Sequence, residues 1–104
     1  MPRWVAVAHI ANCPSGDIRE FVVEDRIVAL ANREGEFFAL DGVCPHQGGP
    51  LGQGDLADHV VTCPWHGWQF DVRTGCNLAS PGNVQPRLPV RLDEETIWVD
   101  LDAP

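Results

Sequence analysis

Short apolar runs separated by polar residues recur along this chain, and they predict β-strands. The runs are rich in Val, Ile, Phe and Trp, which fit a pleated, half-buried surface. Several of them alternate apolar and polar residues, as strands do when only one face is buried. The predicted strands cover residues 4–7, 20–23, 27–30, 37–40, 60–62, 68–72, 88–92 and 97–101.

The segments between these runs predict turns. Polar clusters at residues 24–26, 33–35 and 93–95 fall where hairpin turns are expected. Sustained helical periodicity is missing, and at most a single turn could follow Asn12. Residues 47–54 are too rich in Gly for a strand or a helix. We therefore predict an all-β fold, either an antiparallel β-sandwich or a partly open barrel.

Size and charge narrow the class of protein. With 104 residues, the chain is predicted to form a single domain. Fifteen acidic residues against seven Arg give a net charge of −8, which argues against nucleic acid as a partner. This acidity suits docking onto a protein with a basic patch, and it is explained equally well by solubility alone.

The sequence predicts no contact with a membrane. The apolar run from Trp4 to Ala8 is far shorter than a spanning helix, and the first residues lack the hydrophobic region of a signal peptide. We therefore expect a cytoplasmic protein. In that compartment thiols stay reduced, and groups of Cys and His bind metals more often than they form disulfides.

One pattern of Cys and His carries the chemistry. Cys44-Pro-His46 is followed, after sixteen residues, by Cys63-Pro-Trp-His66. Two Cys and two His can hold a two-iron cluster, with both sulfurs on one iron and both nitrogens on the other. They are also a tetrahedral zinc set, although zinc fingers usually separate the Cys pair from the His pair beside a helix. The mixed halves and the surrounding strands favour the iron–sulfur interpretation.

The stretch from Cys44 to Gly75 resembles the Rieske family. It reads CPHQGGPL from Cys44 and CPWHGWQFDVRTG from Cys63. The resemblance implies one [2Fe–2S] cluster, with Cys44, His46, Cys63 and His66 as its ligands. Neutral imidazoles leave less negative charge on such a cluster than thiolates would, so an electron is added more easily than in a four-Cys ferredoxin.

The resemblance also implies an architecture. A cluster-binding subdomain at residues 43–74 would be inserted in a basal β-sandwich, which would be formed by residues 1–42 and 75–104 within the single domain 1–104. A third loop usually covers the cluster in this family, and Ser80-Pro81-Gly82 is the candidate here.

Four positions depart from the respiratory members of the family, and they predict a low reduction potential. Gly49 and Trp65 occupy the positions of two disulfide-bonded cysteines. Trp68 and Phe70 occupy the positions of a Ser and a Tyr whose hydroxyls donate to cluster sulfur. Two missing hydrogen bonds lower the potential by roughly 100–200 mV. We therefore expect a midpoint near about −150 mV, at the low end of the Rieske range.

The resemblance implies an electron carrier and not an enzyme. Such a ferredoxin takes one electron from a flavoprotein NAD(P)H reductase and delivers it to a terminal, aromatic-ring-hydroxylating oxygenase. Both partners would dock at the exposed tip that carries His46 and His66, and the protein would be a monomer. One alternative is the small Rieske-like subunit of an assimilatory nitrite reductase. Another is a structural zinc-binding interaction module.

The remaining candidate residues are assigned no chemistry. Cys13 and Cys76 are expected to be free, partly buried thiols, because the two-pair site is complete without them. His9 and His59 lie on or beside predicted strands and are interpreted as ordinary polar residues. Trp65 is expected either to shield the cluster from water or to form part of the docking surface.

Overall fold

Three antiparallel sheets make up the part of the chain described by the computed structural model, which comprises residues 3–43, 48–65, 67–80 and 82–102. Within these ranges there are ten strands, two single turns of 3₁₀ helix and no α-helix. The strands are β1 (Trp4–His9), β2 (Ile18–Val23), β3 (Arg26–Arg33), β4 (Glu36–Asp41), β5 (Asp55–Ala57), β6 (Val60–Thr62), β7 (Gln69–Asp71), β8 (Arg87–Leu88), β9 (Val90–Asp93) and β10 (Thr96–Asp100), and the 3₁₀ turns are Ile10–Asn12 and Leu51–Gln53.

Strand pairing brings the two ends of the chain together in one sheet and places the intervening strands in two others. The terminal sheet has the order β1-β10-β9, and the central sheet has the order β2-β3-β4-β8. A small sheet, β5-β6-β7, lies wholly within residues 43–74. The assignment of that stretch as an inserted subdomain stays a prediction.

The predicted all-β, antiparallel fold is confirmed, with local corrections. Each predicted strand is found within a few residues, and two-residue turns join β2 to β3, β3 to β4 and β9 to β10 at the predicted places. The prediction of one strand over 88–92 is wrong, because Pro89 divides it into β8 and β9 and has no N–H for the ladder. The prediction that 47–54 holds no helix is also wrong, since Leu51–Gln53 forms a 3₁₀ turn.

The central sheet is buried on both faces, because alternate residues of β3 point into two different cores. Val28 and Leu30 pack in a core shared with the terminal sheet. Ala29 and Ala31 pack in a second core, together with Val61, Cys63, Phe70 and Val72 from the middle of the chain. Period-two alternation therefore places consecutive residues of one strand in two different cores. This two-sided burial explains why residues 27–31 form an unbroken apolar run.

An ion pair links the central sheet to the turn between β5 and β6. The Arg33 guanidinium lies 2.8 Å from the Asp58 carboxylate, and its hydrogen bond lowers the pKa of Asp58. At the end of β7, Arg73 contacts the Asp71 carboxylate at 2.8 Å and lowers the pKa of that group. Both carboxylates are therefore charged at neutral pH, which favours these contacts.

No helix in the described ranges has the length and the apolar composition that crossing a membrane would require.

Close contact at Gly54 yields a stability prediction. A Cβ atom at Gly54 would lie 2.0 Å from the Thr62 carbonyl oxygen, so Gly54→Ala must displace β6. We expect this substitution to lower the free energy of unfolding by about 2–3 kcal/mol, as overpacking does in a core. Gly82→Ala is the matched control, because a Cβ atom there meets nothing within 4 Å. Urea unfolding of the two variants checks this, and equal stabilities would contradict the packing of Gly54 against β6.

Candidate metal centre

The first candidate ligand loop leaves the central sheet at the end of β4. Val43 and Pro50 form an antiparallel bridge that closes the loop at its base. The Leu51 N–H donates to the Gly42 carbonyl at 3.0 Å, which adds a second backbone bond at the same place. The predicted ligands Cys44 and His46 belong to residues 44–47, which lie outside the described residues.

The second candidate ligand loop joins β6 to β7. The Cys63 N–H donates to the Trp68 carbonyl at 2.8 Å and closes the loop. Cys63 is only 1% exposed and belongs to the core beneath the central sheet. The surrounding core side chains therefore restrict the position of its thiol. Gly67 has φ of +74°, a left-handed conformation that suits glycine at this tight turn. The predicted ligand His66 lies between described residues and is itself outside them.

These two loops are in contact. A Cβ atom at Gly49 would lie 2.8 Å from the Cys63 sulfur and 3.0 Å from the Trp65 Cβ atom. The segments that flank the two Cys–His motifs therefore meet in space, as a shared metal centre requires. The contact also places Gly49 beside Trp65, the two positions at which the respiratory members of the family carry their disulfide.

A third loop lies beside the second one. Asn77 is buried, and its side-chain oxygen accepts from the N–H groups of Ala79 and Ser80 at 2.9 and 3.0 Å. The Asn77 N–H donates to the Asn83 carbonyl at 3.0 Å and closes the loop. Pro81, at the centre of the predicted cover, is outside the described residues. A groove of about 330 Å³ separates the second and third loops, and Trp68, Asn77 and Ser80 are among its lining residues.

Sequence reasoning missed one buried residue at the base of the loops. Gln85 is 1% exposed, and its side-chain NH₂ group donates to the carbonyl oxygens of Asp41 and Val43 at 2.5 and 2.8 Å. Its backbone N–H donates to the Gly75 carbonyl at 2.7 Å. Its side-chain partners lie more than forty positions earlier in the chain, so no local pattern could have revealed it.

The aromatic pair that replaces Ser and Tyr lies under the second loop. Phe70 is fully buried in the core that contains Cys63, and Trp68 packs against the same core. The two rings lie 6.3 Å apart between centroids, tilted by 44°. A phenyl ring carries no hydroxyl, so Phe70 cannot donate the hydrogen bond that a Tyr at this position would make.

The two extra cysteines are free thiols in the described part of the chain, as expected. Cys13 is fully buried, its sulfur lies 3.4 Å from the Leu30 carbonyl oxygen, and burial raises the pKa of its thiol to about 11. Such a thiol is inert, because the thiolate is the reactive form. Cys76 is partly buried beside the turn that ends β7.

The two extra histidines have structural contacts. His9 caps the first 3₁₀ turn, since its Nδ1 accepts from the Ala11 N–H at 3.0 Å, and its Nε2 lies 2.9 Å from Glu95. His59 packs edge-on against Phe38, with centroids 5.9 Å apart. Both histidines are therefore explained without a metal.

The residues present fit a two-iron cluster. Two thiolates and two imidazoles are the donor set of an unsymmetrical [2Fe–2S] centre. One of these donors, Cys63, is buried in the core and lies beside the first loop. Residues 3–43, 48–65, 67–80 and 82–102 by themselves contain no group of three or more His, Cys, Asp or Glu that could hold a metal ion.

Comparisons with known proteins identify the family and its cofactor. The Rieske [2Fe–2S] domain family matches residues 3–92. The chain is 31% identical over 100 residues to the ferredoxin component of a naphthalene 1,2-dioxygenase system from Pseudomonas aeruginosa, which covers 95% of this chain and 96% of that protein.

Two solved structures extend the similarity to the fold. One is a chain from the complex of reduced oxygenase and oxidized ferredoxin in carbazole 1,9a-dioxygenase, with TM-score 0.82, 30% identity and coverage of 93% of this chain and 92% of that chain. The other is described as the small subunit of an NADH-dependent nitrite reductase from Mycobacterium tuberculosis, with TM-score 0.88, 23% identity and coverage of 100% and 99%. The second similarity shows the fold alone.

Family and fold together identify the kind of protein. The structural zinc interpretation is set aside, because the matched family binds an iron–sulfur cluster. The chain belongs to the Rieske [2Fe–2S] domain family: its cofactor is one [2Fe–2S] cluster, and it is an electron-transfer component of the ferredoxin type, not an enzyme.

Proposed function

We propose that Cys44, His46, Cys63 and His66 would hold the cluster through two thiolates and two imidazoles. The contact between Gly49 and the Cys63 sulfur supports this assignment most directly, because it brings the two ligand motifs together. We also propose that residues 43–74 act as the cluster-binding subdomain on a base formed by the rest of the chain.

A cluster bound by these residues would supply one-electron redox chemistry. Cys63 excludes water from the inner side of the centre, since it is buried in the core. Trp65 is 49% exposed in the second loop and presents an apolar side chain to a partner. Val43, at the start of the first loop, is exposed as well. Exposed apolar residues beside the ligands suit a transient docking surface, where aromatic side chains contribute strongly.

The proposed partners follow from the relatives. We infer that the protein carries an electron from a flavoprotein NAD(P)H reductase to a terminal, aromatic-ring-hydroxylating oxygenase in the cytoplasm, docking with both at the His46/His66 tip. The 31% identity to a dioxygenase ferredoxin component and the similarity to a ferredoxin–oxygenase complex support the oxygenase. The net charge of −8 favours partners with basic docking surfaces.

The alternative of a nitrite reductase small subunit has weaker support. Its similarity to this chain is one of fold, at 23% identity, whereas the dioxygenase ferredoxin component reaches 31%. Size-exclusion chromatography separates the two functions. A ferredoxin elutes as a monomer, and a tight complex with a large haem-containing chain would contradict our proposal.

Replacing Cys63 tests the ligand set. We expect Cys63→Ser to lose the visible absorption and the EPR signal of the reduced protein, because a ligand of one iron is removed. Wild-type protein should contain two iron and two sulfide per chain. Cys13→Ser is the matched control, since Cys13 is equally buried and is not a proposed ligand, and it should keep the cluster. Cluster loss in both variants would show a general effect of a buried hydroxyl.

The reduction potential tests the role of His66 and the low-potential class. We expect a midpoint near about −150 mV in a redox titration monitored by EPR. His66→Cys should lower it by about 100 mV or more, because a thiolate replaces a neutral ligand. His9→Cys, at an exposed residue that caps a 3₁₀ turn, should leave it unchanged. A wild-type potential above zero would contradict the argument from Trp68 and Phe70.

Trp65 tests the docking surface. We expect Trp65→Ala to slow electron transfer to the terminal oxygenase about tenfold, with an unchanged midpoint potential, because an aromatic contact at the interface is lost. Leu92→Ala is the control, since Leu92 has nearly the same exposure, 48%, on β9. Stopped-flow mixing of reduced protein with the oxygenase measures both rates. A shifted potential at an unchanged rate would assign Trp65 to shielding of the cluster and overturn its docking role.

A further inference from the structure

We propose that Gln85 is a positioning residue of the cluster centre, which fixes the backbone from which the first ligand loop starts. The inference rests on the proposed function, because it takes Cys44 as a ligand. Nothing in the ligand motifs points to Gln85, which lies after the third loop and directly before Pro86.

Both side-chain donors of Gln85 are used. An amide NH₂ group has two donors, and here they bind two carbonyl oxygens, of Asp41 at 2.5 Å and of Val43 at 2.8 Å. Asp41 is the last residue of β4, and Val43 directly precedes Cys44. The two bonds therefore hold the orientation of the last peptide units before the first proposed ligand.

The backbone of Gln85 is held just as firmly. Its N–H donates to the Gly75 carbonyl at 2.7 Å, and the Asp41 N–H donates to the Pro86 carbonyl at 2.9 Å. Gly75 has φ of +81°, and a Cβ atom there would lie 2.2 Å from the Gln85 carbonyl oxygen. Gly75 itself donates to the Asp71 carbonyl at 2.7 Å, at the end of β7.

Gln85 thus links the bases of the first and second loops and lies just after the third. Through Val43 it contacts the start of the first, through Gly75 it contacts the hairpin that carries the second, and it follows the third in sequence. Val43 is 43% exposed, so burial of its side chain does little to fix this residue. Gln85 binds the Val43 carbonyl with a buried donor and so fixes the backbone directly before Cys44.

The test compares Gln85→Met with Asn32→Leu in the cluster-loaded protein. Gln85→Met keeps the length of the side chain and removes both donors. Asn32→Leu is the matched control, because Asn32 is another buried amide that donates to a backbone carbonyl, that of Cys13 at 2.8 Å, at the other end of β3 and β4. Both variants are expected to be less stable, so stability alone does not decide the question.

Two measurements report on how well the first ligand loop is held in place. We expect Gln85→Met to broaden the EPR signal of the reduced cluster, because the ligand loop adopts several conformations, and to release iron to a chelator about tenfold faster than wild type. Asn32→Leu should keep the wild-type line width and release iron at a rate close to that of wild type. Equal line widths and release rates in the two variants would overturn the inference.

A second variant covers the case in which Gln85→Met does not fold. Gln85→Asn keeps an amide that is one methylene shorter, so it cannot span both carbonyl oxygens, and it should broaden the signal in the same way. A wild-type signal retained in Gln85→Asn would overturn the inference as well. Failure of the proposed function looks different, because wild-type protein would then contain no two-iron cluster, whereas failure of this inference leaves the wild-type cluster intact.

Discussion

Burial of the central sheet on both faces is the constraint on which the rest of the structure depends. Alternate residues of β3 enter two cores, one shared with the terminal sheet and one shared with the small sheet. Apolar burial is the main favourable term in folding, so displacement of this sheet would expose both cores together. The small side chains of Ala29 and Ala31 face the core that contains Cys63. The thiol of a proposed ligand therefore packs against a sheet that is buried on both faces.

The loops above this layer are closed at their bases by backbone contacts. The pair Val43 and Pro50 closes the first loop, and the Cys63–Trp68 and Asn77–Asn83 hydrogen bonds close the second and third. Satisfying backbone groups at the base leaves the tips of the loops to carry function. The same frame places Trp65 at the surface, half exposed.

The fold was predictable where a short local sequence pattern determines the structure. Strands such as β3 and β10 follow the short apolar runs, and the Cys–His motifs are compact enough to be found from their spacing alone. The three-residue strand β5 was missed because it has a single strongly apolar residue, Leu56, between Asp55 and Ala57. Gln85 was missed for a different reason. Its role depends on carbonyl groups that only the folded chain brings within reach.

The burial of Cys63 in the core affects the rate of electron transfer. A redox centre slows its own reaction when its surroundings must rearrange between the oxidised and reduced states. Cys63 is 1% exposed, it packs among core side chains, and its N–H is already bound to Trp68. Around this thiol there is little solvent left to rearrange. The buried surroundings of Cys63 therefore favour a low reorganisation energy at this proposed ligand.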